Sequence, residues 1–289
     1  MQRLKIGFKL LALALTTLFC LPTLSAAEVQ RKIDKIITSK KLPNVIEQLP
    51  EEQADTVNQA SIHNNRGVDL ANQGNVDAAI EEFLMAIELN PTDSDAHYNL
   101  GIALVNKSRI DEAIKQFHIA INLNPENADA YYNLGLALTN KGELDRALQA
   151  LQTAVELNPK DASAYNNLAI VLAKKGDVDG AIQALRSAIK LNPRLSDTHY
   201  NLGIALANKG ALVDAISEFY RALELAPNDA NAAYNLGAAL YQAGRYAEAQ
   251  TALERYLELA PQADNREQVR KILTLLKQQN QTPQLPTQP

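Results

Sequence analysis

The chain has 289 residues, a single cysteine, no tryptophan and a formal net charge of −5, from 28 basic and 33 acidic side chains. Nucleic acids and anionic membranes are bound through clusters of excess positive charge, so this balance argues against both as partners. The one cysteine, Cys20, leaves the rest of the chain without a disulfide, a thiolate metal site or a cysteine nucleophile.

Residues 1–27 have the organisation of a secretory signal peptide, with basic residues, then an apolar run, then small residues. We predict cleavage after Ala27, which would place the mature chain in the bacterial periplasm or in a secreted or lumenal space, without stable membrane insertion. An uncleaved anchor is one alternative, but the apolar run is short for a hydrocarbon core of about 30 Å. A lipid-modified Cys20 is another, which Phe19 disfavours because that signal needs a small residue before the cysteine.

Residues 28–59 precede a repeated region and carry two helical patterns. Apolar residues recur at helical spacing over residues 29–37, and a second segment starts at Pro50, followed by two glutamates that favour a helix N-terminus. We interpret residues 28–59 as a helical cap or linker at the first end of the array. A docking arm for another subunit is the alternative.

Residues 60–263 consist of six units of 34 residues, and positions within each unit are numbered from 1 to 34. Position 8 is small, position 20 is alanine and position 32 is proline in every unit. The six units are 60–93, 94–127, 128–161, 162–195, 196–229 and 230–263. The residues at position 8 are Gly67, Gly101, Gly135, Ala169, Gly203 and Gly237.

This pattern resembles the tetratricopeptide repeat, which has the same period. The resemblance implies an all-α fold, a right-handed alpha-alpha superhelix in which each unit is a helix-turn-helix. We expect the small residue at position 8 to let the two helices approach near the alanine at position 20. Glycine at position 15 should adopt the left-handed conformation that ends the first helix, and aspartate at position 18 should complement the dipole of the second helix.

Two segments of different composition follow the repeats. Residues 264–279 place apolar side chains on one face and basic ones outside it, which predicts a capping helix. Residues 280–289 are rich in glutamine and proline and have little to bury, so we predict a disordered tail there.

The candidate binding residues lie on a second stripe of the first helices. In the family this stripe lines a concave groove, so the resemblance implies that it binds a protein or peptide partner. Amide side chains offer both donors and an acceptor, so a row of asparagines can hydrogen-bond an extended main chain. The alternative is that this asparagine belongs to the fold itself. The candidates are Asn65, Asn99, Asn133, Asn167, Asn201 and Asn235 at position 6, Tyr98, Tyr132, Tyr200 and Tyr234 at position 5, and Asn106, Asn140, Lys174 and Asn208 at position 13.

No pattern of catalytic residues is found. His63, His97 and His199 all occupy position 4, a core-facing site, in separate units that are too far apart to share a metal ion. Phosphate-binding glycine loops and metal motifs are absent, so we predict no enzyme activity, cofactor or metal. We interpret the chain as a non-enzymatic exported scaffold that binds a peptide segment or a protein surface in its groove. The alternative is an accessory subunit of a cell-envelope or lumenal complex-assembly machine.

Overall fold

The structure, a computed structural model, describes residues 51–281, so the predicted signal peptide, most of the predicted cap and most of the predicted tail lie outside the described residues. The described part contains thirteen α-helices and no strand, and none of these helices has the length and apolar character needed to cross a bilayer. The helices are α1 Glu51–Asn72, α2 Val76–Leu89, α3 Ser94–Asn106, α4 Ile110–Leu123, α5 Ala128–Lys141, α6 Leu144–Leu157, α7 Ala162–Lys174, α8 Val178–Leu191, α9 Ser196–Asn208, α10 Leu212–Leu225, α11 Ala230–Gln242, α12 Tyr246–Leu259 and α13 Arg266–Gln281.

The helices pair as the repeat predicts, within a compact unit that begins at Gln59. From α3 onward, each first helix packs against the second helix of its own repeat and against the second helix of the preceding repeat. Buried apolar side chains form one continuous cluster from the first repeat to α13. Since each repeat contacts only its neighbours, stability comes from stacking. The prediction of an all-α solenoid is confirmed.

Position 8 is a point of close contact between the two helices of a repeat. A Cβ atom added to Gly101 would lie 2.5 Å from the ring of Phe117, and one added to Gly135 would lie 2.6 Å from Cγ of Leu151. We expected the contact near Ala147 at position 20, but the nearest atoms belong to position 24. Residues four apart share a helix face, so the larger side chain at position 24 reaches across first.

Position 15 ends the first helix in a left-handed conformation, as predicted. Five repeats use glycine there, with φ between 74° and 88°. The second repeat uses Ser108, which has φ 59° and is the one non-glycine residue with positive φ among the described residues. A side chain in this region of backbone space is disfavoured because its Cβ crowds the following carbonyl oxygen.

Replacing Ser108 with glycine should therefore stabilise the protein. Left-handed backbone costs a non-glycine residue about 1 kcal/mol, and the greater freedom of glycine in the unfolded chain offsets part of that gain. We expect a net gain of roughly 0.5 kcal/mol. The reverse change in the equivalent turn, Gly142→Ser, should lower stability by a similar amount. Urea denaturation followed by circular dichroism measures both, and a lower midpoint for Ser108→Gly would contradict the assignment of strain.

A row of ion pairs joins successive turns along one edge of the array. The aspartate at position 18 lies in the first turn of the second helix in four repeats, as predicted. Each also pairs with the lysine at position 14 of the next repeat. The row ends where Val213 and Ala243 replace such a pair between repeats five and six. Exposed pairs contribute little to stability, so the row mainly favours one alignment of neighbouring turns. The pairs are Lys107 with Asp77 (2.9 Å), Lys141 with Asp111 (2.7 Å), Lys175 with Asp145, and Lys209 with Asp179 (2.6 Å).

The two ends of the array differ in chemistry. In the first repeat, position 7 is Arg66 where the other five have leucine, and its guanidinium lies 3.2 Å from Glu82. At the other end, α13 buries Val269 and Leu276 against the last repeat. This helix ends at Gln281, two residues beyond the boundary expected from the sequence. The first repeat thus carries polar groups where inner repeats are apolar, whereas the last repeat is covered.

Candidate functional site

The asparagines at position 6 join neighbouring repeats through direct hydrogen bonds. In repeats two to six, the amide nitrogen donates to the side chain at position 5 of the preceding repeat, so each contact spans 35 residues of sequence. We call these contacts the rungs. Asn65 has no preceding repeat and makes none within the described residues. The rungs run from Asn99 to Asn64 (3.0 Å), Asn133 to Tyr98 (3.1 Å), Asn167 to Tyr132 (3.1 Å), Asn201 to Asn166 (3.0 Å) and Asn235 to Tyr200 (3.1 Å).

Three of these amides also bond to their own helix. Asn133, Asn167 and Asn235 each donate to the carbonyl four residues earlier, at 2.9 Å. An amide has only two donor hydrogens, and both are used in these residues. The sequence led us to expect donors and an acceptor for a ligand, but the structure leaves only the Oδ1 acceptor at these positions.

The tyrosines at position 5 form part of the packing between helices. The ring of Tyr98 lies 6.2 Å from that of Phe117, and the ring of Tyr200 lies 6.1 Å from that of Phe219, both tilted. Burial raises the pKa of Tyr98 to about 12, and the charge of Asp129 adds to the shift. The pKa values of Tyr132 and Tyr200 are raised for the same two reasons, burial first and then a nearby aspartate. These hydroxyls are neutral at physiological pH and half-buried, with rungs holding them in place.

Stability should fall as the pH rises from about 10 to about 12, because these tyrosines ionise more easily in the unfolded chain. A raised pKa in the folded state means that their contribution is fully present below pH 10 and is lost as the pH passes through the folded value. Urea midpoints at pH 8, 10 and 11 measure the decline. In the double variant Tyr98→Phe and Tyr200→Phe, the urea midpoint should decline less with pH than in the wild type. Both proteins have the same lysines, so the difference between them comes from the tyrosines. Equal slopes would contradict the prediction.

The histidines at position 4 pair with a polar side chain of the second helix. His63 and His199 lie 2.6 Å from Glu82 and Glu218, and His97 lies 2.7 Å from Gln116. Position 23 carries the partner in these three repeats and is alanine in the others. His97 and His199 are almost fully buried, and between residues 51 and 281 no group of three metal-ligating side chains is found. These histidines therefore belong to the packing of the repeats.

Two cavities open on the groove face, which we define as positions 5, 6, 9 and 13 of the first helices. The first, of about 190 Å³, lies between repeats four and five and includes Lys174 in its lining. The second, of about 160 Å³, lies between repeats five and six and has amides but no charged side chain in its lining. Asn208 lines both. The groove face thus offers space for side chains next to hydrogen-bonding groups.

A third cavity, of about 270 Å³, lies between the second helix of repeat two and both helices of repeat three, and its lining includes His118 and Arg146. The guanidinium of Arg146 lies 2.9 Å from Nε2 of His118. Burial and then the charge of Arg146 lower the pKa of this histidine, so at neutral pH it is uncharged and Nε2 accepts the bond. The sequence-predicted site residues lie on the groove face instead.

The comparisons with known proteins agree with this architecture. A family model described as the C-terminal domain of cilia and flagella-associated protein 70 matches residues 27–272. YrrB, described as a tetratricopeptide-repeat protein with an unusual peptide-binding site, aligns with a TM-score of 0.57 at 25% identity, over 65% of this chain and 97% of that chain. MamA aligns with a TM-score of 0.53 at 29% identity, over 57% of this chain and 96% of that chain.

A third solved structure, pilF of Pseudomonas aeruginosa, aligns with a TM-score of 0.66 over 76% of this chain and 99% of that chain, and its 17% identity shows the fold alone. The search of curated proteins gave no match. The family model spans well over half of the chain, and the six repeats pack as the pattern predicts. The chain therefore belongs to the tetratricopeptide-repeat family represented by the C-terminal domain of cilia and flagella-associated protein 70.

Proposed function

We propose that the chain is an exported, non-enzymatic scaffold that holds a peptide segment or a protein surface on its groove face. The observation that carries the proposal is the arrangement of amides there. At position 6, Oδ1 atoms remain as acceptors after the rungs use the donors. At position 13, Asn106, Asn140 and Asn208 are exposed, and their side-chain amides make no hydrogen bond with another described residue. An extended main chain presents both donors and acceptors, and these two rows complement it.

The rungs support the proposal because they hold the side chains at positions 5 and 6 in place in the absence of a ligand. A side chain that is already ordered loses less freedom on binding, which raises affinity for a given set of contacts. Tyrosines held in this way also supply rigid contact area. The similarity to YrrB supports the same conclusion, since that protein is described as having a peptide-binding site and almost its whole length aligns with this chain.

Removal of the position-13 amides tests the proposal directly. Peptides would first be selected from a random library with the purified protein, and their affinities measured by fluorescence anisotropy. The triple change Asn106→Ala, Asn140→Ala and Asn208→Ala should lower the affinity for these peptides at least tenfold, because each lost hydrogen bond costs about 0.5 to 1.5 kcal/mol.

The matched control is the triple change Gln149→Ala, Gln183→Ala and Ser217→Ala, at three exposed residues of the second helices in repeats three to five. It removes the same number of polar groups from outside the groove face and should leave affinity unchanged. If the control weakens binding and the groove variant does not, the ligand lies on another surface and the proposal is wrong.

Export requires its own test, because residues 1–50 lie outside the described part of the chain. We expect N-terminal sequencing of the protein from its native host to begin at Glu28. Recovery of a chain beginning at Met1 would contradict both the cleavage site and the exported location.

A further inference from the structure

The fourth repeat differs from the other five at two positions that line the same cavity. Position 8 is Ala169, where every other repeat has glycine, and position 13 is Lys174, where every other repeat has an amide. Both residues line the 190 Å³ cavity between repeats four and five. Because the two changes occur in one repeat and face one space, this cavity is chemically different from the rest of the groove face.

The interior of this cavity is apolar. Its lining includes Leu185, which is 2% exposed, together with Val178 and Ala205, and Ile170 and Ile204 flank it. An apolar cavity of about 150 Å³ accommodates benzene. The space here is therefore large enough for a leucine or phenylalanine side chain of a bound peptide.

Lys174 provides an unpaired positive charge at the same cavity. The lysines at position 14 of repeats two to five all pair with aspartates, as described above, whereas Lys174 is exposed and makes no ion pair with another described residue. Position 2 of its own repeat is Ser163, although three other repeats have aspartate there. The charge of Lys174 is thus not balanced within its repeat and is available to a ligand.

We infer that this cavity and Lys174 together select an extended peptide segment in which an apolar side chain and an acidic side chain lie two residues apart. Side chains two residues apart in an extended chain point to the same face, about 7 Å from each other. The apolar one would fill the cavity while the carboxylate meets the ammonium group.

The carboxylate belongs to an internal aspartate or glutamate rather than to a chain end. The amide rows continue on both sides of Lys174, with Asn140 in the third repeat and Asn208 in the fifth. A ligand that uses both rows passes through this point and does not stop there. The inference rests on the proposed function, because it names the kind of segment that the groove face prefers.

Three synthetic peptides of twelve residues, acetylated and amidated at their ends, test the inference by fluorescence anisotropy at low ionic strength. They differ only at the centre, which is Leu-Ser-Glu, Leu-Ser-Gln or Ala-Ser-Glu. We expect the first to bind about threefold more tightly than the second, as for one exposed ion pair. It should bind about tenfold more tightly than the third, as for one buried leucine side chain.

Two variants assign these preferences to their residues. Lys174→Asn, which installs the residue found at position 13 of four other repeats, should abolish the preference for glutamate and keep the preference for leucine. Ala173→Leu fills the cavity from an exposed helical position and should abolish the preference for leucine. The controls are Lys190→Asn, an exposed lysine on the second helix of the same repeat, and Ala71→Leu, at position 12 of the first repeat. Both should keep both preferences.

The possible outcomes separate the inference from the proposed function. Equal affinity of the three peptides for the wild-type protein would overturn the inference while leaving peptide binding intact. A fourth peptide would end in Leu with a free carboxylate. If it binds more tightly than the Leu-Ser-Glu peptide, the carboxylate that Lys174 prefers is a chain end and not an internal aspartate or glutamate. If neither these peptides nor any library peptide binds, the proposed function is wrong as well.

Discussion

Replacing Gly101 with leucine should lower the free energy of unfolding by about 3 kcal/mol or more, and the first two repeats should lose their cooperative melting. The added Cβ would lie 2.5 Å from the ring of Phe117, which is fully buried, and the ring of Tyr98 packs against that phenylalanine at 6.2 Å. An aromatic ring enclosed in this way has no nearby space to move into, so the helices must separate. Thermal and urea denaturation followed by circular dichroism measure the loss.

Alanine substitutions at the same position provide matched comparisons. Gly135→Ala places its Cβ against Leu151, a more adaptable side chain, and the fourth repeat already combines Ala169 with a leucine at position 24. We therefore expect Gly135→Ala to cost about 1 kcal/mol or less, since the better helix propensity of alanine offsets part of the crowding. Gly101→Ala should cost more than Gly135→Ala. Equal costs would show that the identity of the residue at position 24 does not set the approach of the helices.

The fold was predictable because it depends on contacts that repeat at a fixed spacing. A small residue at position 8 predicts that the two helices of a repeat lie close together. Glycine at position 15 predicts a tight turn, because glycine adopts the left-handed conformation without steric cost. The contact of Gly135 was assigned to the wrong residue because two positions of the second helix share one face. Ala147 and Leu151 share that face, and the larger side chain, Leu151, makes the contact with Gly135. The periodicity of the sequence gives the face of the helix but not which residue on it makes the contact.

The site was predictable only in part. The row of asparagines was evident, but its hydrogen bonds to position 5 of the preceding repeat join residues 35 apart, and no local pattern shows such pairing. One missed contact did leave a signal. Histidine at position 4 occurs only with Glu or Gln at position 23, as in His199 with Glu218, whereas repeats with Tyr131 or Tyr165 have alanine there. Comparing the six repeats with one another could have found that pair.

The double change Asn133→Ala and Asn167→Ala should destabilise the array by about 2 to 3 kcal/mol, although the sequence indicates these asparagines as candidate ligand contacts. Each asparagine makes one rung and one bond to its own helix, so four hydrogen bonds disappear at about 1 kcal/mol each. The higher helix propensity of alanine returns roughly 1 kcal/mol of this loss. Urea denaturation measures the net change.

The same substitution at position 13 is the control. Asn106→Ala together with Asn140→Ala removes no hydrogen bond between described residues, so stability should stay equal or rise slightly through helix propensity. If the two double variants are equally stable, the rungs do not hold the repeats together and the amides of position 6 are free to serve a ligand alone.

A third double variant separates the structural and binding roles of position 6. Asn133→Asp together with Asn167→Asp keeps an acceptor oxygen toward the groove face but removes both amide donors. The bond to the helix carbonyl is then lost, and a rung forms only if the tyrosine hydroxyl donates to the carboxylate. Because ligand main-chain amides would use only that oxygen, selected peptides should bind the remaining folded protein with affinity close to that of the wild type, while stability falls by less than in the alanine variant. Loss of binding in the fully folded aspartate protein would mean that the donors contact the ligand directly, and the assignment of those hydrogens to the rungs would be wrong.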